Sequence, residues 1–259
     1  MIEEIKKELA RLENENEIKI LLAVESGSRA WGFASADSDW DVRYVYIHKL
    51  DWYLKIDEQK DSQEEILPND LDLSGWELKK ALRLFRKSNP PMLEWLRSPI
   101  VYTEQFSTAE SLRALSRRYF NPKSCMYHYL SMAKGNFKEF LERESVRLKK
   151  YFYVLRPVLA CDWIRETDSF PPVEFEKLVE SQVKDAQIRR EIDELLKRKI
   201  AGDEMKEEPK IEVLNEFLEG KIEFYKDYVE QTSVGEKLPT EILDELFKKT
   251  IDEVWSEKK

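Results

Sequence analysis

Cysteine is nearly missing from this chain. Cys125 and Cys161 are the only two, far apart and in no C-x-x-C pair. That excludes a disulfide scaffold and a cysteine-built zinc site, and it fits a reducing interior. Histidine is as scarce: His48 and His128 stand in no metal-ligand or Ser–His–Asp spacing, so both read as structural. Seven glycines and ten prolines in 259 residues argue against a turn-rich all-β fold and favour long helices. No apolar run approaches the ~20 residues of a membrane span. The charged, amphipathic start, Met1 to Lys7, does not read as a signal peptide. The expectation is a soluble, cytoplasmic protein with no membrane partner.

Charge is abundant. Charged residues make up 37% of the chain and the net charge is −9, so any contact with nucleic acid must come from a local patch rather than from the overall field. Apolar residues reach 42%, enough for a substantial core in one large domain or two small ones.

Residues 2–13 carry Ile2, Ile5, Leu9 and Leu12 at helical spacing. Ile18 to Val24 is a short, near-continuous apolar run that ends at Ser26-Gly27-Ser28, which predicts a strand buried on both faces. Residues 32–38 read as a loop of small residues, and Asp41 to Ile47 as a β-branched, aromatic strand. Residues 50–69 show no clear period. Leu71 to Trp76 predicts a third strand running into a helix with Leu78, Ala81, Leu82 and Phe85, stopped by Asn89-Pro90-Pro91. Met92 to Leu96 is a further helical turn, and Ile100 to Tyr102 a candidate edge strand. Downstream the pattern predicts helices at roughly 107–119, 122–142, 145–166, 173–181, 184–201, 209–231 and 239–257. Pro171-Pro172 and Gly202-Asp203-Glu204 look like joints. The expected organisation is α+β: a mixed sheet flanked by helices over residues 1–105, then an all-helical domain over 106–259.

The chemistry concentrates between Glu25 and Arg43. Gly27-Ser28 directly follows a buried strand. Glycine there lets backbone approach a ligand, and free N–H groups with the Ser28 hydroxyl suit phosphate oxygens. Asp39 and Asp41 are two apart where the next strand begins, so period-two alternation projects both carboxylates from one face. Such a pair repels itself unless a cation lies between, and Mg²⁺ is typically held by one or two carboxylates plus substrate phosphates. A calcium loop is excluded, because Val42 and His48 stand where glycine and glutamate are needed. A third carboxylate comes from the next strand: Asp72, which lies inside the apolar run, with Asp70 as the alternative. It suits a second metal or the deprotonation of an attacking hydroxyl.

Gly27-Ser28, ten intervening residues, then Asp39-Trp40-Asp41 resembles the signature of the DNA polymerase β-type nucleotidyltransferase superfamily. The wider string from Gly27 to Arg43 resembles its branch of predicted nucleotidyltransferases associated with RNA ligases. Asp72 to Lys80, Asn89-Pro90 with Leu93 to Leu96, and Lys150 to Pro157 are similar to that branch too. The likeness runs over about residues 18–165 and fades toward the C-terminus. It implies a nucleotidyltransferase core that moves a nucleoside monophosphate, with ATP among the donors, onto a hydroxyl of RNA, a small molecule or a protein. It implies one or two Mg²⁺ ions, with Mn²⁺ as a substitute, and a role in RNA repair. Asp39, Asp41 and Asp72 would be metal ligands and catalytic acids, and Gly27 and Ser28 phosphate binders. The alternative on the same fold is a non-catalytic nucleotide- or RNA-binding module.

Arg29 and Arg43 flank this segment, each divided between phosphate contact and a structural ion pair. Lys149, Tyr153 and Arg156 fall on one helix face at i, i+4 and i+7, where they would hold a triphosphate or stack a base, or simply wet the outside of a core helix. Lys79, Lys80, Arg83, Arg86 and Lys87 form a basic run without an acid, which suits an RNA backbone or a solvated helix face. Trp31 and Trp40 are either base-stacking or core aromatics.

Overall fold

A computed structural model describes residues 1–203, 206–233 and 239–256. The predicted joint residue Glu204 and the predicted helix end Glu257 lie outside them. The chain divides into two compact units.

The first unit holds a five-stranded mixed sheet. Its strands are β1 (Ile18–Glu25), β2 (Trp40–His48), β3 (Ser62–Leu67), β4 (Leu71–Glu77) and β5 (Val101–Glu104), in the order β3-β4-β2-β1-β5. β1 pairs antiparallel with β2 and β5, β2 runs parallel to β4, and β3 closes the edge antiparallel to β4. The all-apolar stretch of β1 is the consequence of its position inside the sheet, covered on both faces. Helix α1 (Ile2–Glu15) lays Ile5, Leu9 and Leu12 into the cluster formed by Ile18, Ile20, Val42, Tyr44 and Leu73. Gly75 in β4 makes room for Tyr44: a Cβ there would stand 2.2 Å from the tyrosine ring.

Short helices α2 (Gly27–Trp31) and α3 (Leu50–Tyr53) follow β1 and β2. Helix α4 (Leu78–Arg86) starts where β4 ends. Its N-cap is Glu77, whose carboxylate accepts from the Lys79 amide at 2.7 Å. Helix α5 (Pro90–Trp95) is capped by Asn89 with proline in its first turn, and α6 (Thr108–Tyr119) follows β5.

The second unit is helical: α7 (Pro122–Asn136) with a π-helical turn at Phe137–Leu141, α8 (Lys149–Thr167), α9 (Phe175–Gln182), α10 (Ala186–Ile200) and α11 (Glu212–Gln231). A two-stranded ribbon joins β6 (Ser145–Arg147) to β7 (Glu207–Pro209). Its centre is α8, buried nearly all round, where α7, α9 and α11 pack. Asp162 is buried there and accepts from Lys221 at 2.7 Å and from the Tyr225 hydroxyl. The loop Trp31–Ser38 belongs to this unit: Phe33 stacks on Phe152 at 4.7 Å and Lys199 reaches Ser38 Oγ at 3.2 Å.

The units do not divide at residue 105. Helix α6 and the last helix, α12 (Glu241–Trp255), both belong with the sheet, and residues 31–38 with the helices. The physical reason is side-chain pairing. α12 packs on α4 and α6, the buried Thr108 and Thr250 hydroxyls meet at 2.9 Å, and Ser107 Oγ donates to Glu253 at 2.6 Å. The expected helix 145–166 opens instead with a strand, because residues 145–147 pair with 207–209 before the helix begins at Lys149. The expected α+β class holds, with a mixed sheet flanked by helices and a helical C-terminal region. No helix among the described residues is long and apolar enough to cross a membrane.

Candidate active site

Residues of β1, α2, β2 and β4 converge at one end of the sheet. The parallel register sets Asp41 directly beside Asp72. Arg43, one pleat further along the same face of β2, turns back between them, and its Nη2 donates to Asp41 Oδ1 and to Asp72 Oδ2, both at 2.8 Å. Its Nη1 holds two backbone carbonyls, those of Val42 at 3.2 Å and Asp72 at 3.1 Å. The guanidinium therefore sits between two carboxylates that would otherwise repel.

Asp41 is fixed from the other side by Gly27. Residue 27 has φ +57°, and a Cβ on it would stand 2.1 Å from Asp41 Oδ2. Only glycine permits both the left-handed backbone and this approach. The Asp41 main chain is held as well. Its amide donates to Glu25 Oε1 at 2.9 Å, and its carbonyl accepts from the Ser26 amide at 2.8 Å. Glu25 is buried; its second oxygen accepts from the Tyr102 hydroxyl, and its backbone carbonyl accepts from Ser98 Oγ at 2.6 Å. Nothing in the local sequence pattern marks Glu25, Ser98 or Tyr102, because the contacts link β1 to residues more than seventy positions away.

Burial pushes the Asp41 carboxyl up, Arg43 pulls it down, and Asp72 and then Asp39 raise it again. Burial likewise raises Glu25 against the lowering pull of Tyr102 and the Asp41 amide. Such opposed, burial-dominated shifts are common at functional sites.

Asp39 is exposed, one residue ahead of β2. Its backbone carbonyl accepts from Arg29 Nε at 3.1 Å, and the Arg29 guanidinium lies 3.7 Å from the Trp40 ring centre. Ser28 is half-buried in the first turn of α2. Asp70, the alternative third acid, occupies the turn before β4 with φ +58°, and its carbonyl accepts from the Trp40 amide at 2.9 Å. The strand register thus brings Asp72, rather than Asp70, against Asp41. Among the described residues no group of three His, Cys, Asp or Glu side chains is gathered to hold a metal ion. The oxygen donors of Asp41 and Asp72 nonetheless suit Mg²⁺, which takes one or two protein carboxylates and completes its shell with phosphates and water. Gly27 keeps a side chain off Asp41 Oδ2, while Arg43 supplies the counter-charge of the pair in this structure and holds one oxygen of each acid.

Lys149, Tyr153 and Arg156 lie on α8 in the helical unit. Arg156 is buried with its guanidinium 4.8 Å from the Trp31 ring centre, and it donates to the Val173 carbonyl at 3.3 Å. Tyr153 is exposed and meets Trp31 edge-on. Lys149 is half-buried at the helix start. In the basic run, Lys79 lies over the Tyr53 and Phe247 rings, Lys80 pairs with Asp61 at 3.0 Å, and Arg86 donates to Thr240 at 2.5 Å. Three of the five cations there are tied to protein partners.

The mixed sheet, the Gly-Ser turn and the paired aspartates agree with the resemblance to DNA polymerase β-type nucleotidyltransferases carried by the sequence. A profile of the RNA repair pathway DNA polymerase beta family matches residues 1–249, and the chain belongs to that family. The match extends on both sides of the segment 18–165 that carries the sequence resemblance. The chain is 46% identical over 257 residues to the uncharacterized protein YcgL of Bacillus subtilis (strain 168), covering 99% of each. It is also distantly similar, at 11% identity and a TM-score of 0.35, to the crystal structure of a nucleotidyltransferase-like protein from Exiguobacterium sibiricum 255-15, with 85% of this chain and 75% of that one covered.

Proposed function

We propose that the protein is a metal-dependent nucleotidyltransferase that moves a nucleoside monophosphate from a nucleoside triphosphate to a hydroxyl acceptor, RNA foremost. The observation that carries this reading is the Asp41–Arg43–Asp72 bridge across two parallel strands, pressed against Gly27. Asp41 and Asp72, side by side in the sheet, would hold Mg²⁺, and Asp39, exposed one residue ahead of β2 and not gathered with them in this structure, would join them on metal binding. When bound, Mg²⁺ supplies neutralisation of charge on the transferred phosphoryl and the departing pyrophosphate.

The chain's own residues do the rest. The Gly27-Ser28 turn receives phosphate oxygens through its N–H groups and the Ser28 hydroxyl. Arg29 and Arg43 provide fixed positive charge beside the phosphates, with Arg43 held in place by its two backbone carbonyl contacts. Asp72 accepts the proton of the attacking hydroxyl. The acceptor oxygen bonds to the α-phosphorus, the bond to the β-phosphate oxygen breaks, and pyrophosphate leaves.

The same bridge is the specific feature that favours the second reading, a nucleotide- or RNA-binding module. Arg43 already neutralises both acids, so the fold is complete without turnover. Pyrophosphate release with each nucleoside triphosphate and Mg²⁺, alongside transfer of label from the nucleotide to RNA, decides between them. Release that disappears in Asp41→Asn and Asp72→Asn supports the enzyme. Nucleotide binding without release on any acceptor supports the module.

A further inference from the structure

The helical unit contains a cavity of about 370 Å³ that the proposed chemistry does not use. Its wall is largely aromatic: Trp31, Phe140, Phe152 and Tyr153 line it together with Met132 and Lys150. Tyr153 and Met132, on its rim, are 39% and 40% exposed, a high value for side chains of this kind.

Three features of the wall define a ligand. First, it offers flat apolar surface, with the rings of Trp31 and Tyr153 set edge-on at 6.4 Å. A planar ring system is the shape that such walls hold. Second, it offers positive charge. Lys150 Nζ lies 3.6 Å from the Phe140 ring centre and 5.3 Å from that of Tyr153. Burial lowers the Lys150 pKa and Lys149 and Arg147 lower it further, against an opposing pull from Glu139, so an incoming anion would stabilise the ammonium. Third, the indole N–H of Trp31 is buried with no hydrogen-bond partner. That donor carries a desolvation penalty, and a ligand acceptor would relieve it if the ring turned its N–H toward the cavity on binding.

A nucleotide has all three complements: a π-face, ring nitrogen and carbonyl acceptors, and a phosphate. We infer that this cavity binds one nucleotide unit, its base against Tyr153 and Trp31 and its phosphate at Lys150. Sequence spacing pointed to Lys149 and Arg156 on this helix. The cavity assigns the anion contact to Lys150, and Arg156 acts from beneath, as the buried cation under Trp31. The inference deepens the proposed function by giving the helical unit a share in substrate binding, but it stands on residues separate from the three aspartates.

The test is binding by the full chain without Mg²⁺, followed by tryptophan fluorescence and calorimetry. A single-stranded RNA hexanucleotide is one probe and ATP the other, which separates an RNA strand from a free nucleotide as the source of the unit. Tyr153→Ala and Lys150→Gln should each weaken at least one probe roughly tenfold or more, the loss expected of one stacked base or one phosphate contact. Trp31→Phe should remove part of the fluorescence change. Circular dichroism establishes that each variant is folded, and Tyr153→Phe, which keeps the ring, should bind as the parent does. Asp41→Asn should keep this binding while losing pyrophosphate release, so failure of the chemistry and failure of the pocket are separable. Affinity unchanged in both Tyr153→Ala and Lys150→Gln, or no binding of either probe to the parent protein, overturns the inference.

Discussion

The Cα of Gly27 lies so close to the Asp41 carboxylate that a methyl group on residue 27 would stand 2.1 Å from Oδ2. Two residues fourteen positions apart are thus fixed as one object, and the backbone at 27 is left-handed as well. Gly27→Ala must therefore do two things: strain the turn, at roughly 1–3 kcal/mol for a non-glycine residue in that region, and displace Asp41. The expected result is a lower urea midpoint and a more than hundredfold loss of nucleotidyl transfer. Asp41→Asn should lose transfer as fully with little loss of stability. An alanine variant that is both as stable and as active as the parent would remove the basis for placing Asp41 at the reaction centre.

The buried carboxyl of Glu25 makes stability depend on pH. Burial raises it, so the folded chain holds that proton more tightly than the unfolded chain does. Its contribution is complete below the ordinary glutamate range and is lost as pH rises through the raised folded value. Glu77 and Asp41 are raised in the same direction. His48 acts on the other side. Burial, and then Lys55, lower its pKa from 6.5 to about 4, so stability is lost as pH falls between those values, on the order of 2 kcal/mol. Urea unfolding from pH 4 to 9 should show a maximum between the two limbs. Glu25→Gln keeps an acceptor for the Asp41 amide and removes the ionisation. It should flatten the alkaline limb and leave the acid limb alone, and an alkaline slope equal to that of the parent would contradict this account.

How far the sequence could be read depends on the range of the interactions. The Gly27-Ser28 turn and the strand after it rest on neighbours in the chain, where period two and glycine placement are informative; Asp39 falls one residue ahead of that strand, outside the range of the alternation. Asp72 could be preferred over Asp70 from its place in an apolar run, and the parallel pairing with Asp41 gives the reason. β3 escaped notice because Ser62–Leu67 is a half-exposed, acidic edge strand with little apolar alternation. The placement of α12 was hidden for a different reason: an amphipathic stripe says that a helix packs, but not against what. Burial was the difficulty on α8. The i, i+4, i+7 spacing does put Lys149, Tyr153 and Arg156 on one face, but α8 is buried nearly all round, so sharing a face does not mean facing solvent, and Arg156 is buried.

The docking of α12 yields its own test. Thr250 Oγ1 meets Thr108 Oγ1 at 2.9 Å in a buried position and also donates to the Leu246 carbonyl at 2.9 Å. Thr250→Val leaves the Thr108 hydroxyl with its partner removed, which should cost about 1–2 kcal/mol. Adding Thr108→Val removes the stranded hydroxyl and should recover part of that loss. A double-mutant cycle by urea denaturation measures the coupling. Additive effects would mean that the two hydroxyls do not act as a pair.

Arg43 supplies the most direct test of the metal. In the structure its guanidinium is the charge that lets Asp41 and Asp72 lie side by side. Arg43→Met keeps much of the side-chain volume and removes that charge. Without divalent ions the variant should be less stable by about 1–3 kcal/mol, because two partly buried carboxylates then face each other without a counter-charge. A divalent ion that binds these oxygens would relieve the same repulsion, so Mg²⁺ or Mn²⁺ should raise the thermal midpoint of the variant more than that of the parent. Monovalent salt at matched ionic strength separates site binding from screening. Asp72→Asn in the Arg43→Met background removes one of the two charges and should abolish the extra shift. If neither Mg²⁺ nor Mn²⁺ moves the midpoint of parent or variant, Asp41 and Asp72 form an arginine-bridged structural pair, and the metal-dependent reading fails at its central ligands.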